Sequence, residues 1–153
     1  MQKGMIVKMA IVAAVCTSEI KGVAKDPVPD IYVKADHGIV GDAHAGKWLR
    51  QVSLLASESV DKLREKIPDL DAGVFAENIL TKGINLHELP IGTKLRIGEA
   101  LLVITQIGKE CHDGGCAIKK QTGDCVMPRE GVFASVLEEG TISPGDQIEV
   151  LGK

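Results

Sequence analysis

The chain has 153 residues, of which 44% are apolar, 25% charged and only 3% aromatic, with a formal net charge of −3. That length fits one domain, spanning residues 1–153, able to bury about 70% of its unfolded surface without disulfide staples. Nucleic acid is excluded as a partner, since no basic run is longer than Lys119-Lys120 and few rings are present to stack bases.

The first apolar stretch, Met5 to Val15, follows Lys3 in the manner of a signal peptide. Lys8 interrupts it, however, and it is too short to cross a bilayer. Its Ile, Val and Ala content predicts a buried first strand ending near Cys16. Four cysteines in a core-forming domain of this size do not resemble a disulfide framework, so a cytoplasmic protein with reduced thiols and no membrane partner is expected. Thr17 to Asp30, with Gly22, Pro27 and Pro29, reads as a loop. Ile31 to Ala35 alternates as a short strand, and Asp36 to Gly46 is a glycine-rich loop whose backbone can approach a ligand closely.

Gln51 to Ala56 predicts another strand. Ser57 is placed to cap a helix running to about Lys66, with Val60, Leu63 and Ile67 on one face and Pro68 stopping it. Val74 to Leu80, Lys94 to Ile97 and Ala100 to Ile107 read as strands. Arg129 to Glu138 carries an apolar stripe of Val132, Phe133, Val136 and Leu137 that predicts a second short helix, with Gly140 as its C-cap. Gln147 to Leu151 closes the chain as a strand. Many short strands, two brief helices and glycine-rich turns predict a mainly β fold, a closed or partly closed β-barrel.

Chemistry concentrates in CHDGGCAIKKQTGDC, Cys111 to Cys125, which holds three of the four thiols and one of the four histidines. A structural zinc held by Cys111, His112, Cys116 and Cys125 lacks the paired CxxC spacing of tetrahedral sites. Packing as a small hydrophobe suits Cys16 in its apolar run and Cys125 before Val126-Met127-Pro128. Cys116, beside Gly114, Gly115, Asp113 and His112, has no core pattern around it and suits a reactive thiol. Lowering such a thiol from ~8.5 to ~6.5 takes about 2.7 kcal/mol of thiolate stabilisation. Lys109, His112, Lys119 and Lys120 are the candidate donors. These residues support nucleophilic sulfur transfer or ligation of a soft metal without deciding between them.

In GDAHAGKWLRQ, Asp42, His44, Lys47 and Arg50 place mixed charge on a glycine-rich loop able to hold a phosphate or anionic substrate, with Arg50 giving bidentate contacts. A solvated turn with a surface salt bridge accounts for the same residues equally well. Arg129 is a further candidate donor to such an anion. His37 reads as a turn residue and His87 as a surface one, while Glu77 and Asn78, inside an apolar stretch, need hydrogen-bond partners if buried.

Ordered motifs spanning about Val12 to Val150 resemble a known family. They are SEIKG (Ser18 to Gly22), HGIVGDAHAGKWLRQVSLL (His37 to Leu55), FAENI (Phe75 to Ile79), LPIGTKLRIGEALLVIT (Leu89 to Thr105) and IGKECHDGGCAIKKQTGDCVMPREGVFASVL (Ile107 to Leu137). The chain resembles a stand-alone MOSC domain, the module found at the C-terminus of molybdenum cofactor sulfurases and in amidoxime-reducing molybdoenzymes. The resemblance implies a barrel-like fold and a cysteine that carries sulfane sulfur or ligates molybdenum. Cys116, before Ala117-Ile118 and Thr122-Gly123, matches that cysteine best, with Cys111 as second candidate.

The expected function is sulfur carriage in molybdenum cofactor (molybdopterin) metabolism through a persulfide on Cys116. His112 and Cys111 would assist it, and the loop carrying Asp42, His44, Lys47 and Arg50 would hold the cofactor. The chain has no room for a pyridoxal phosphate (PLP) domain of its own. The implied partners are therefore a separate PLP-dependent cysteine desulfurase and a molybdoenzyme or cofactor acceptor. The rival expectations are a molybdopterin-dependent reductase of N-hydroxylated compounds with Cys116 as metal ligand, and a non-catalytic zinc-structured module.

Overall fold

A computed structural model describes residues 10–20, 24–68, 70–108 and 130–152. Strand β1 (Ala10–Thr17) leads through β2 (Asp26–Val28), β3 (Ile31–Lys34) and β4 (Gly38–Ile39) to β5 (Val52–Ala56) and helix α1 (Ser57–Arg64). Then come β6 (Ile79–Lys82), a 3-10 turn (Leu86–Glu88), β7 (Lys94–Ile97), β8 (Ala100–Ile107), β9 (Val132–Glu138), β10 (Gly140–Ile142) and β11 (Gln147–Gly152).

Seven of these strands form a ring in the order β11-β7-β8-β9-β5-β6-β1, and β1 pairs back onto β11 through Ala10↔Ile148 and Ile11↔Gln147. Closure pairs strand backbones around the whole ring and removes the exposed edges an open sheet would present. All neighbours are antiparallel except β5 and β6. That parallel pair needs a crossover, which α1 supplies on the outside of the barrel.

Side chains alternate across the barrel wall. Val12, Leu54, Ile79, Leu95, Leu102, Ile104, Val132 and Ala134 fill the interior. A second apolar layer of Leu55, Val60, Leu63, Leu70, Phe75, Leu80 and Phe133 lies between the wall and α1. Each Val or Leu buried in this way contributes about 1.5–3 kcal/mol. A smaller sheet, β10-β3-β4, packs beside the ring.

The barrel is as expected, but one predicted helix is not. Within Arg129 to Glu138 the described residues form strand β9, and only residue 130 is helical. Its apolar residues serve two faces: Val132, Ala134 and Val136 point inward, and Phe133 packs under α1. A strand covered on both sides carries a near-continuous apolar run that mimics a helical stripe. Gly140 accordingly opens β10 instead of ending a helix. The other helical piece is the 3-10 turn at Leu86–Glu88.

Smaller differences have local causes. Asp26–Val28 forms an edge strand in the expected loop, with Pro27 opposite Cys16, a position where a missing N–H costs no ladder bond. Only Ile79 and Leu80 of the strand expected from Val74 are extended, because the chain turns through Gly73 (φ +89) and Ala76 (φ +65). Ala56, not Ser57, is the N-cap of α1.

The turn before β6 is held by buried polar groups. Glu77 is fully buried, and its carboxylate accepts the N–H groups of Gly73 (2.7 Å) and Phe75 (3.1 Å). Burial holds that carboxyl above its usual range. Asn78 accepts from Ser53 N–H (3.0 Å) and donates to the Cys16 carbonyl (3.1 Å). Cys16 is buried, and desolvation, followed by the Glu77 charge, pushes its thiol up to about 12. It is a packing residue, as its apolar run predicts.

A Cβ on Gly73 would overlap the Lys25 carbonyl oxygen and approach Cys16 Sγ to 3.2 Å. Gly73→Ala is expected to destabilise the domain by about 2–4 kcal/mol in urea unfolding, from strain at positive φ plus this overlap.

Candidate functional site

The thiol segment springs from two adjacent strands. Ile107 of β8 pairs with Val132 of β9, and Gly108 N–H donates to the Gly131 carbonyl at 2.6 Å. On the exit side, Ser59 Oγ of α1 donates to Glu130 at 2.5 Å, and Lys62 Nζ reaches both Glu130 oxygens at 2.9 Å. These contacts outweigh the cost of partial burial and hold the Glu130 carboxyl below its usual range. Cys111, His112, Cys116, Cys125 and Arg129 lie outside the described residues.

The glycine-rich loop between β4 and β5 is organised by an internal ion pair. Lys25 Nζ, 3% exposed as a residue, donates to Asp42 Oδ1 at 2.9 Å and Oδ2 at 3.1 Å. It also lies 2.9 Å from His44 Nδ1. Asp42 further accepts the N–H groups of Ser18 and His44, each at 3.0 Å. Burial works to raise the Asp42 carboxyl, but the Lys25 ammonium and these two N–H groups hold it well below the usual carboxylate range.

From this anchor a row of flat groups runs along the outer wall. The Trp48 indole lies nearly parallel to the His44 ring, with centroids 6.3 Å apart, and its Nε1 donates to the His44 carbonyl at 2.7 Å. The Arg50 guanidinium sits 4.6 Å from the Trp48 centroid and 5.8 Å from that of Phe133. Both distances allow cation–π attraction. Among the described residues Arg50 has no carboxylate partner. Its N–H donors are held in position and, among the described residues, make no hydrogen bond, an arrangement that suits a planar or tetrahedral oxyanion.

A bulge ties this row to the thiol roots. Thr105 is the extra residue where the β8–β9 register shifts between Ile104 and Gln106. Its hydroxyl bonds both the Leu49 carbonyl and the Phe133 carbonyl (3.2 Å). Bulges of this kind re-aim a side chain next to functional sites. The loop is thereby docked on the two strands that deliver Cys111 to Cys125.

Of the loop residues singled out in the sequence, Asp42, His44 and Arg50 come together. Lys47 does not join them; it is exposed and pairs loosely with Asp36 at 3.9 Å. His37 sits in a turn, with its N–H on the Lys34 carbonyl. His87 is half-buried, with Nδ1 buried and without a partner. Sequence reasoning missed Lys25, whose partner lies 17 positions away, and Phe133, assigned to a helix. Trp48 carried a usable signal: it is the only tryptophan of the chain and stands between His44 and Arg50.

These features define a small closed β-barrel domain whose glycine-rich loop is docked on β8 and β9, the strands that precede and follow Cys111 to Cys125 along the chain. The MOSC domain signature matches residues 41–149, well over half of the chain, and the chain belongs to that family, which is associated with the molybdenum cofactor. Its fold is similar to the crystal structure of the YUAD protein from Bacillus subtilis, with TM-score 0.78 and 19% identity over 97% of this chain and all of that one. YiiM from Escherichia coli (TM-score 0.66, 20% identity, 95% of this chain and 70% of that one) shares the fold. So does YiiM from Geobacillus stearothermophilus (0.62, 20%, 94% and 74%). Comparison with curated proteins gives no match. Among the described residues no helix is long and apolar enough to cross a membrane.

The depressed Asp42 carboxyl has a pH consequence. Its stabilising contribution is complete above its ordinary value of 3.8 and is lost as pH falls below that toward the lower folded value. At neutral pH, Asp42→Ala leaves Lys25 buried without its counter-charge and is expected to cost about 3–5 kcal/mol. Denaturant unfolding of both proteins from pH 7 downward should show this gap closing only in the acid range.

Proposed function

We propose that this domain carries sulfur for molybdenum cofactor chemistry. A separate PLP-dependent cysteine desulfurase presents its own persulfide, and the Cys116 thiolate attacks the terminal sulfur. The sulfur–sulfur bond of the donor breaks, the donor leaves as a thiolate, and Cys116 becomes a persulfide. The terminal sulfur then leaves as sulfide for the molybdenum centre of the acceptor, which is substrate in this reading: the Cys111 thiolate attacks Cys116 Sγ, the persulfide bond breaks, and the two electrons come from the two thiols, which end as a Cys111–Cys116 disulfide. His112 and the lysines beside it favour the anionic sulfur, and Cys111 resolves or shields the persulfide.

The single observation that carries the reading is Arg50. It is a half-buried cation held between Trp48 and Phe133 with no carboxylate partner among the described residues, on the loop docked against β8 and β9. An arginine kept free in this way is suited to a phosphate, and a pterin cofactor carries one. His44, two stacked positions away, adds a second donor. The donor set therefore fits the phosphate end of the cofactor. Among the described residues no cluster of three metal-ligating side chains is present, so in this reading the metal is met by the thiol segment. Family membership supports the cofactor as the acceptor class.

Incubation with a cysteine desulfurase and cysteine should add one sulfur atom to the protein by intact mass, and Cys116→Ser should abolish the gain. Arg50→Ala should leave loading intact but weaken transfer to a molybdopterin acceptor by about tenfold, the worth of one charge-assisted contact. Absence of any mass gain, under conditions that load a known carrier, refutes the reading. Stoichiometric molybdenum retained by the purified protein and lost in Cys116→Ser would replace it with the reductase.

A further inference from the structure

The contacts of Lys25 constrain the chemistry of His44. An ammonium has three N–H donors and no acceptor. Two of them are spent on Asp42, at 2.9 Å and 3.1 Å, and the third meets His44 Nδ1 at 2.9 Å. Asp42 Oδ2 also faces Nδ1, but at 3.7 Å it is beyond hydrogen-bond reach, so the nearer ammonium sets the role of Nδ1, which offers its lone pair. The ring proton of the neutral imidazole therefore sits on the opposite nitrogen, Nε2. Among the described residues that atom has no partner, and it is not one of the buried unpaired atoms, so it is exposed. The backbone on both sides of the ring is held, since the Trp48 indole N–H bonds the His44 carbonyl and the His44 N–H is bonded to Asp42.

We infer that Lys25 is a positioning residue that locks His44 in the Nε2–H tautomer, making this histidine an outward hydrogen-bond donor to an oxyanion instead of a metal ligand. A metal would need the Nε2 lone pair, which this tautomer does not offer. Nε2–H is offered to a phosphate-type oxygen, and the Arg50 guanidinium, which has no carboxylate partner among the described residues, stands next to Trp48 in the same row. The ligand class is an oxyanion, as a free phosphate or as the phosphate of a larger molecule. That class rests on the anion-holding role proposed above, while the tautomer lock stands on the Lys25 geometry alone.

Nitrogen-15 NMR of the histidine side chains of the whole protein tests it. In the wild type at mildly alkaline pH, His44 is expected to show a pyridine-like Nδ1 and a pyrrole-like, protonated Nε2. In Lys25→Met the two signals should move toward the averaged pattern of a free tautomer mixture, a change that loosened packing alone would not direct. A protonated Nδ1 in the wild type overturns the inference outright, and that measurement decides even if Lys25→Met does not fold. An unchanged tautomer in a folded Lys25→Met overturns the positioning role.

Inorganic phosphate and phenyl phosphate, titrated separately, should shift His44 Nε2 in the wild type, with binding weakened about tenfold in Lys25→Met. The tighter of the two identifies the source of the oxyanion. No shift with either ligand, or zinc displacing the Nε2 proton, counts against the donor role. Persulfide loading is read by mass alone, so its failure removes the sulfur-carrier reading and leaves the tautomer result standing.

Discussion

The Lys25–Asp42 pair is the contact on which the functional loop depends. It joins three stretches of chain with no local reason to meet: the end of β1 at Ser18, the approach to β2 at Lys25, and the glycine-rich loop at Asp42 to His44. A buried ion pair adds little net stability, because desolvating two charges offsets much of their attraction. What it supplies is direction. Once both charges are sealed in, any arrangement that separates them leaves an uncompensated charge, so the loop has one permitted seat.

The barrel gives that seat a fixed position relative to the ends of β8 and β9. Ring closure between β1 and β11 makes the strand register a property of the whole molecule, and a slip of one residue would turn interior Val and Leu outward. The one extra residue at Thr105 breaks the alternation where the loop must dock, and its hydroxyl holds the Leu49 carbonyl against β8 and β9. Rigid wall, bulge and loop together align His44, Trp48, Arg50 and Phe133 in one row. The Arg50 neighbours among the described residues are rings and not carboxylates.

The barrel class was legible because its signals are local. Short β-branched runs, period-two alternation and glycine turns each act over a few residues, and β3, β5, β7, β8 and β11 fall where those patterns put them. Strand β9 was not legible as a strand, since its second apolar face exists only once α1 is folded over Phe133. For the same reason the sequence could propose Asp42, His44 and Arg50 but not their division of labour: Asp42 is sealed inward against Lys25, while Arg50 lies over the Trp48 ring with no carboxylate partner among the described residues.

Taken alone, the sequence determined the mainly β architecture, the family, and the concentration of thiols between Cys111 and Cys125, because composition, turn chemistry and motif order are written along the chain. Only the tertiary structure decided that Lys25 belongs to the site, that Trp48 and Phe133 grip Arg50, and which nitrogen of His44 faces outward. Those outcomes depend on contacts between residues far apart in sequence, and a charge or a ring has no fixed chemical role until the fold selects what stands beside it.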